Sequence, residues 1–132
     1  NYFAIVIGTW DYFKKSIDLP LMTHHRKNGE RHVTPDSRGK KAKTNVKLIN
    51  QYKKFALIQC QPITGRTHQL RVHLCEIGYP IYGDKKYIND QDSADRKGAK
   101  RLYLHAQSLS FVDRNGNDRI FSSPLPSEFN IF

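Results

Sequence analysis

A single stretch of helical periodicity interrupts a chain that otherwise consists of short β-rich runs separated by turn signals. Leu70, Leu74 and Ile77 recur at the spacing of one helix face. Gly78 stands where a helix commonly ends, and Pro80 follows two residues later. Because this apolar stripe is narrow, the helix can cover only part of a core, and the β-rich runs must supply the rest.

Those β-rich runs predict a mostly antiparallel sheet. Residues 2–8 are nearly continuously apolar, which is typical of a buried strand. Residues 45–63 predict two more strands around a turn near residues 51–53. Asn28-Gly29 is a strong signal for a two-residue hairpin turn, and Asn115-Gly116 indicates a second hairpin. We therefore predict an α+β fold, a mostly antiparallel mixed sheet with one or two helices.

Two polar stretches and the overall size complete the outline. Residues 37–45 and 88–100 lack apolar periodicity and are predicted to be exposed loops. With 132 residues the chain can form one small domain around one core. No apolar run approaches the roughly 20 residues of a membrane span, and no signal peptide is recognisable. Cys60 and Cys75 have no Cys-x-x-Cys partner, so we expect reduced thiols in a cytoplasmic protein.

The charge of the chain favours a polyanionic partner. Lys and Arg number 22 against 12 Asp and Glu, a net charge of +10. Residues 24–47 alone carry eight Lys or Arg against Glu30 and Asp36. Such a basic segment is typical of nucleic-acid binding, although a merely soluble basic surface is the alternative. Charge by itself does not separate RNA from DNA.

The residues from Thr64 to His73 are too polar for an ordinary core helix. Arg71 flanks the apolar stripe and can reach the edge of a cleft, while Gly65 and Arg66 before it suit an anion. The alternative is a solvated helix face with incidental ion pairs. We reject a zinc site at His68 and His73, because their spacing points the rings apart and no Cys or carboxylate has ligand spacing.

At this point the sequence resembles a known family. The run PITGRTHQLRVHLCEIGYPIYGDKKY and the later RLYLHAQSLSF resemble the RluA/RluC/RluD family of RNA pseudouridine synthases. NYFAIVIGTW looks like the family's strand with the active-site tyrosine. ERHVTPDSRGKKAKTNVKLI looks like the hairpin and basic connection that follow it, and PLPSEF like the closing segment. The likeness covers nearly the whole chain and is strongest to the C-type large-subunit enzymes.

The resemblance implies a reaction on a uridine flipped out of RNA. An active-site aspartate acts on it, the C1′–N1 bond breaks, a C–C bond forms through C5, and a proton leaves C5. No cofactor and no metal are implied. Arg71 would pair with the aspartate and hold it ionised, Leu70 would pack near the uracil, and Tyr2 would stack on it. Without the resemblance, Tyr2 would be read as a strand aromatic in a core.

The nucleophile itself is missing from the sequence. The family carries it in a His-Arg-Leu-Asp-x-x-Thr-Ser-Gly motif before the tyrosine strand, and that motif does not occur here. Asp84, in a Gly-Asp that family members carry in addition to the nucleophile, is expected to fix a turn. We therefore expect residues 1–132 to be the C-terminal part of a catalytic domain, unable to isomerise uridine by itself.

The sequence thus leads to one hypothesis and two alternatives. The first is part of a synthase that acts on large-subunit ribosomal RNA. The alternatives are an inactive basic RNA-binding module on the same scaffold and, less favoured, a structural or assembly protein. In the synthase hypothesis and in the RNA-binding alternative, basic residues contact phosphates, and such contacts fix the position of the RNA more than they read its sequence. The predicted RNA-binding residues are Arg26, Lys27, Arg31, Lys40, Lys41, Lys43, Arg66 and His68.

Overall fold

A five-stranded antiparallel sheet forms the centre of the molecule. The computed structural model describes residues 1–11, 14–88, 99 and 101–130. The sheet has the order β2-β5-β6-β1-β7, and two separate hairpins, β3-β4 and β8-β9, accompany it. The strands are β1 (Tyr2–Ile7), β2 (Lys14–Asp18), β3 (Leu21–His25), β4 (Arg31–Pro35), β5 (Lys43–Gln51), β6 (Phe55–Pro62), β7 (Leu104–Ala106), β8 (Ser108–Val112) and β9 (Asp118–Ser122). The described strand pairs are all antiparallel, so the α+β prediction is confirmed, although this sheet is not mixed.

The predicted buried strand lies near the middle of the sheet. Strand β1 pairs with β6 along its whole length and with β7 at its start. Ala4, Ile5 and Val6 are fully buried in the main core, and beyond β7 the second edge of β1 is covered by Ile81, Tyr82 and Tyr103. This position explains why the first run of the sequence is almost continuously apolar. The two strands predicted within residues 45–63 are β5 and β6.

The predicted helix is α1 (Gln69–Glu76), and it lies between two apolar clusters. Leu70 and Leu74 pack into the main core on the sheet. Val72 faces a second, smaller cluster formed by Leu21, Val33, Ala42 and Tyr87. The helix thereby holds the β3-β4 hairpin against the sheet. It ends as predicted, with Gly78 in the left-handed region at φ 94°.

Helix α1 begins later than the polar segment that precedes it. Its first residue is Gln69, and His68 before it adopts a left-handed backbone conformation with φ 53°. The chain turns at residues 66–69, where the Gln69 N–H donates to the Arg66 carbonyl oxygen at 3.1 Å, so residues 65–67 are not the first helical turn. The Gln69 side chain accepts a hydrogen bond from the Arg66 N–H at 3.1 Å, which ties this turn to the helix.

Both predicted hairpins exist, but their loops have three residues. In the first, the Arg26 N–H donates to the Glu30 carbonyl oxygen, which leaves residues 27–29 as the loop. In the second, the Asp113 N–H donates to the Asn117 carbonyl oxygen. In each loop the glycine is last and has a φ near 80°, as in a type I turn closed by a left-handed residue. The two-residue turn predicted at Asn28-Gly29 is therefore wrong in length.

The polar stretches had mixed outcomes. Residues 37–45 are not simply an exposed loop, because Ala42 and Thr44 are buried and β5 starts at Lys43. The loop predicted at residues 88–100 lies almost entirely outside the described residues. In the C-terminal segment, Ser127–Asn130 forms a short 3₁₀ helix. Within the described part of the chain, no helix is long and apolar enough to cross a membrane.

Candidate active site

A cleft of about 290 Å³ brings together five residues that the sequence singled out. Tyr2, Arg66, His68, Leu70 and Arg71 all line it. Pro62, Thr64, Gly65, Gln69 and Leu104 complete its wall. The five residues come from a strand, a turn and a helix that lie up to 69 positions apart in the sequence. Their convergence gives the cleft both apolar and cationic groups.

The sheet and the helix each place one part of this wall. Tyr2 pairs with Cys60 and Ala106, and Leu104 pairs with Ala4 two positions along β1. Partners that lie directly opposite project from the same face, so Tyr2 and Leu104 share a face of the sheet. Helix α1 covers this same face and presents Leu70 to them. The cleft is therefore the gap between the end of β1 and the start of α1.

Arg71 is held by a buried carboxylate within the chain. Its Nε and Nη2 donate to the two carboxylate oxygens of Asp84, at 2.9 and 2.8 Å. The side chain of Asp84 is fully buried, while that of Arg71 is 22% exposed. Burial opposes ionisation of Asp84, but the hydrogen bonds from Arg71 and from two backbone N–H groups keep its pKa below the usual range. The pair thus fixes the guanidinium of Arg71, and three of its N–H groups have no partner among the residues that the structure describes.

Asp84 also fixes the turn after the helix, as expected from the sequence. Its Oδ1 accepts the backbone N–H groups of Lys86 and Tyr87, each at 3.0 Å. The turn is tight as well, because a Cβ on Gly83 would lie 1.9 Å from the carbonyl oxygen of Arg101. The ion pair between Asp84 and Arg71 was not predicted from the sequence. The two residues are 13 positions apart, and no sequence pattern indicates that they meet.

Tyr87 joins the hairpin, the helix and Arg71, and sequence analysis missed it. Its hydroxyl oxygen accepts the backbone N–H of Val33 at 3.1 Å. The hydroxyl proton is then available to His68 Nδ1, 2.7 Å away. The guanidinium of Arg71 lies over the Tyr87 ring, 5.0 Å from its centroid. One phenol side chain therefore positions both polar residues at the start of the helix.

This contact occupies one ring nitrogen of His68. Because Nδ1 is hydrogen-bonded to the Tyr87 hydroxyl, Nε2 is the nitrogen left for another partner. Burial, together with the charges of Arg71 and Lys86, lowers the pKa of His68. His68 is thus a neutral imidazole on the wall of the cleft at neutral pH. It is not a cation there.

Beneath the helix, a chain of buried hydrogen bonds holds α1 to the sheet. Gln69 donates to the Thr44 hydroxyl at 2.9 Å, and that hydroxyl lies 2.9 Å from His73 Nδ1. His73 Nε2 lies 2.9 Å from the carbonyl oxygen of Leu19, which can only accept. The proton of His73 is therefore on Nε2, and burial lowers the pKa of this residue. Its role here is structural.

The predicted basic residues lie on the surface around the β3-β4 hairpin. Arg26, Lys27, Arg31, Lys40, Lys41 and Lys43 are all exposed, as is Arg66. The hairpin is braced against the turn after Gly83, because Lys86 Nζ pairs with Glu30 at 2.8 Å. Arg66 is the member of the set that reaches the cleft.

A larger cleft, of about 590 Å³, lies on the other face of the sheet. Its lining is rich in amides and contains none of the predicted catalytic or RNA-binding residues; it consists of Asn1, Ser16, Asn45, Val46, Lys47, Gln59 and Gln61. Volume alone does not make this the functional site. Its only charged side chain is that of Lys47 and its only apolar one is that of Val46. The smaller cleft has two arginines, and it has Tyr2, Leu70 and Leu104 to contact a ring.

Comparison with known proteins assigns this chain to a family. The model of the RNA pseudouridylate synthase family matches residues 1–76, more than half of the chain. These residues include β1, the basic hairpin and the whole of α1. The chain therefore belongs to the RNA pseudouridylate synthase family, and the resemblance seen in the sequence is confirmed.

Individual relatives narrow the likeness within the family. The chain is 39% identical over 117 residues to ribosomal large subunit pseudouridine synthase C of Escherichia coli O6:H1, with 85% of this chain and 36% of that protein covered. It is 36% identical to the protein of the same name from Buchnera aphidicola, with 98% and 42% covered. Among solved structures, human RNA pseudouridylate synthase domain containing 1 has a TM-score of 0.78 at 26% identity, with 93% and 53% covered. The chain thus spans about two fifths of the length of these sequence relatives.

Proposed function

We propose that this chain is part of a pseudouridine synthase that isomerises uridine in large-subunit ribosomal RNA. The observation that carries the proposal is the cleft in which Tyr2, Leu70 and Arg71 meet. An extruded base needs an aromatic or apolar wall to offset the few kcal/mol lost on unstacking. Tyr2, Leu70 and Leu104 supply such a wall, and the relatives named above carry the substrate class in their names.

Arg71 has the geometry required to hold a catalytic carboxylate. Asp84 uses two of its five N–H groups and fixes the plane of the guanidinium. The remaining N–H groups can pair with the nucleophilic aspartate of the full-length protein, keeping it ionised and oriented. Residues 1–132 would then be the C-terminal part of the catalytic domain, inactive by themselves because no nucleophile is included. His68, as a neutral imidazole, would form a hydrogen bond to the RNA through Nε2.

The test follows release of the C5 proton. Full-length protein is incubated with a large-subunit ribosomal RNA transcript that carries tritium at C5 of its uridines, and released tritium is counted. We expect release by the wild type and loss of more than about a hundredfold in Arg71→Ala, since supporting a catalytic group is worth several kcal/mol. RNA affinity should change little. Full activity of Arg71→Ala would disprove the role given to Arg71.

The alternative, an inactive RNA-binding module, predicts a different outcome of the same assay. The wild type would bind RNA but release no tritium. Removing two of the basic residues, for example with Lys41→Gln and Lys43→Gln, should reduce the salt dependence of RNA binding in either case. An unchanged salt dependence would mean that Lys41 and Lys43 make no phosphate contact and belong to a solvated face.

A further inference from the structure

A second cleft opens directly beside the candidate active site. It has a volume of about 520 Å³ and lies between strand β3 and the turn that precedes α1. Its lining combines cations, hydroxyls and an imidazole, and none of its ten residues is acidic; they are Leu21, Met22, Thr23, His25, Arg38, Gly39, Lys40, Gly65, Arg66 and Thr67. This composition suits a sugar–phosphate backbone, which offers anionic oxygens and hydroxyl groups.

The two clefts share one boundary. Gly65 and Arg66 line both of them, so a strand of RNA could pass from one to the other over this turn. Arg66 is fixed there, because its Nε donates to the carbonyl oxygen of Lys41 at 2.8 Å. Among the described residues, no carboxylate pairs with its terminal nitrogens. The guanidinium is therefore a cation held at the border between the two clefts.

At the second cleft, the segment of Gly39 and Lys40 packs directly against the backbone of Leu21. The Lys40 N–H and the Leu21 carbonyl oxygen bond at 2.9 Å, and Leu21 N–H bonds back to Lys40. A Cβ on Gly39 would lie 2.4 Å from the same carbonyl oxygen, so only glycine allows the two segments to meet. This contact holds Lys40 on the cleft. Arg38 is different, because Asp36 binds it in a bidentate pair and offsets its charge.

We propose that this second cleft binds the nucleotide next to the extruded uridine. Arg66 would contact the phosphate that joins the two nucleotides, and Lys40 the phosphate beyond it. Thr23 and Thr67 would face the ribose of the neighbour. The proposal rests on the proposed function, since it takes the first cleft as the uridine pocket. An acidic protein segment would also suit the charge, but it would not need a cleft continuous with a base pocket.

Directed cleavage of RNA tests the position of this nucleotide. Thr23→Cys is introduced into full-length protein whose accessible native cysteines, Cys75 among them, are replaced by Ser, and an iron chelate that generates hydroxyl radicals is attached to it. Lys53→Cys, in the turn at the far end of β6, is the matched control. With the large-subunit ribosomal RNA transcript, we expect cleavage from position 23 at the nucleotides beside the converted uridine, and none there from position 53.

Tritium release from the same RNA separates the possible failures. Release by the wild type together with cleavage remote from the converted uridine, or with no cleavage, overturns the subsite and leaves the proposed function intact. No release overturns the proposed function, and the assignment of this nucleotide with it. Release with cleavage beside the uridine supports both.

Affinity gives an independent measure of the phosphate contact. Lys40→Gln should raise the Kd for the transcript about tenfold, the loss expected of one charge-assisted hydrogen bond. It should also lower the slope of log K against log salt by about 0.7, the value for one phosphate of a single strand. Lys53→Gln makes the same charge change outside the cleft and should alter neither. Equal behaviour of the two variants would overturn the role of Lys40.

Discussion

The ion pair between Arg71 and Asp84 should be the most sensitive polar contact of the site. In Asp84→Asn, one carboxylate oxygen becomes an amide group that donates towards Arg71 or towards the backbone N–H groups of Lys86 and Tyr87. Removing one partner of a buried pair costs about 3–5 kcal/mol, because the other charge stays buried and unpaired. Arg71 keeps 22% of its side-chain exposure, so water screens part of this loss. We therefore expect about 3 kcal/mol.

The assay is thermal unfolding of the full-length protein, followed by near-ultraviolet circular dichroism. Because the full-length relatives are more than twice as long as this chain, a loss of about 3 kcal/mol corresponds to a fall in Tm of roughly 5 °C. Asp113→Asn is the matched control, because Asp113 pairs with Arg119, which is 58% exposed, and ion pairs on the surface contribute little to stability.

The pH dependence of the Tm tests the same ion pair. The pKa of Asp84 is lowered in the folded protein, so its ionisation stabilises the fold above the unfolded pKa. This stabilisation is lost as pH falls through the folded pKa. The difference in Tm between wild type and Asp84→Asn should therefore shrink in acid. A loss of Tm no larger than that of Asp113→Asn, with no convergence in acid, would refute the reasoning.

Three further predictions concern the surroundings of the pair. Gly83→Ala should lower the Tm of the full-length protein by more than 5 °C, since its Cβ would meet the Arg101 carbonyl oxygen at 1.9 Å; an unchanged Tm would show that the turn relaxes. Tyr87→Phe leaves the buried N–H of Val33 unpaired and removes the hydroxyl bonded to His68. It should lower the free energy of unfolding by about 1–3 kcal/mol and shift the nuclear magnetic resonance titration of His68 to higher pH. An unchanged titration would contradict this prediction. The lowered pKa of His73 means that stability falls as pH drops below the unfolded value near 6.5, and His73→Gln should flatten the Tm profile between pH 7 and 5.

The elements that could be predicted from the sequence were those with a local cause. The spacing of Leu70, Leu74 and Ile77 predicts a helix, and Gly78 its end, because both signals lie within one segment. The apolar run of β1 is equally local. The loop of the first hairpin was not predicted correctly, since Asn-Gly is compatible with both two- and three-residue loops when the glycine takes the left-handed position.

The contacts that organise the site depend on tertiary structure. Asp84 lies 13 positions after Arg71 and Tyr87 lies 54 after Val33, so no periodicity relates them. Thr44 was placed in an exposed stretch, yet it is buried where it meets His73. Polar residues such as Thr44 are predicted to be exposed by composition alone. Only the packing of α1 onto the sheet shows that they carry buried hydrogen bonds.

The most direct test of the account is a crystal structure of the full-length protein with RNA that contains the converted uridine. We predict that the uracil ring lies between Tyr2 and Leu70, with the nucleophilic aspartate bonded to the N–H groups of Arg71 that Asp84 leaves unused. A base bound elsewhere, or an Arg71 whose free N–H groups face no carboxylate, would contradict the assignment of this cleft as the site of uridine isomerisation.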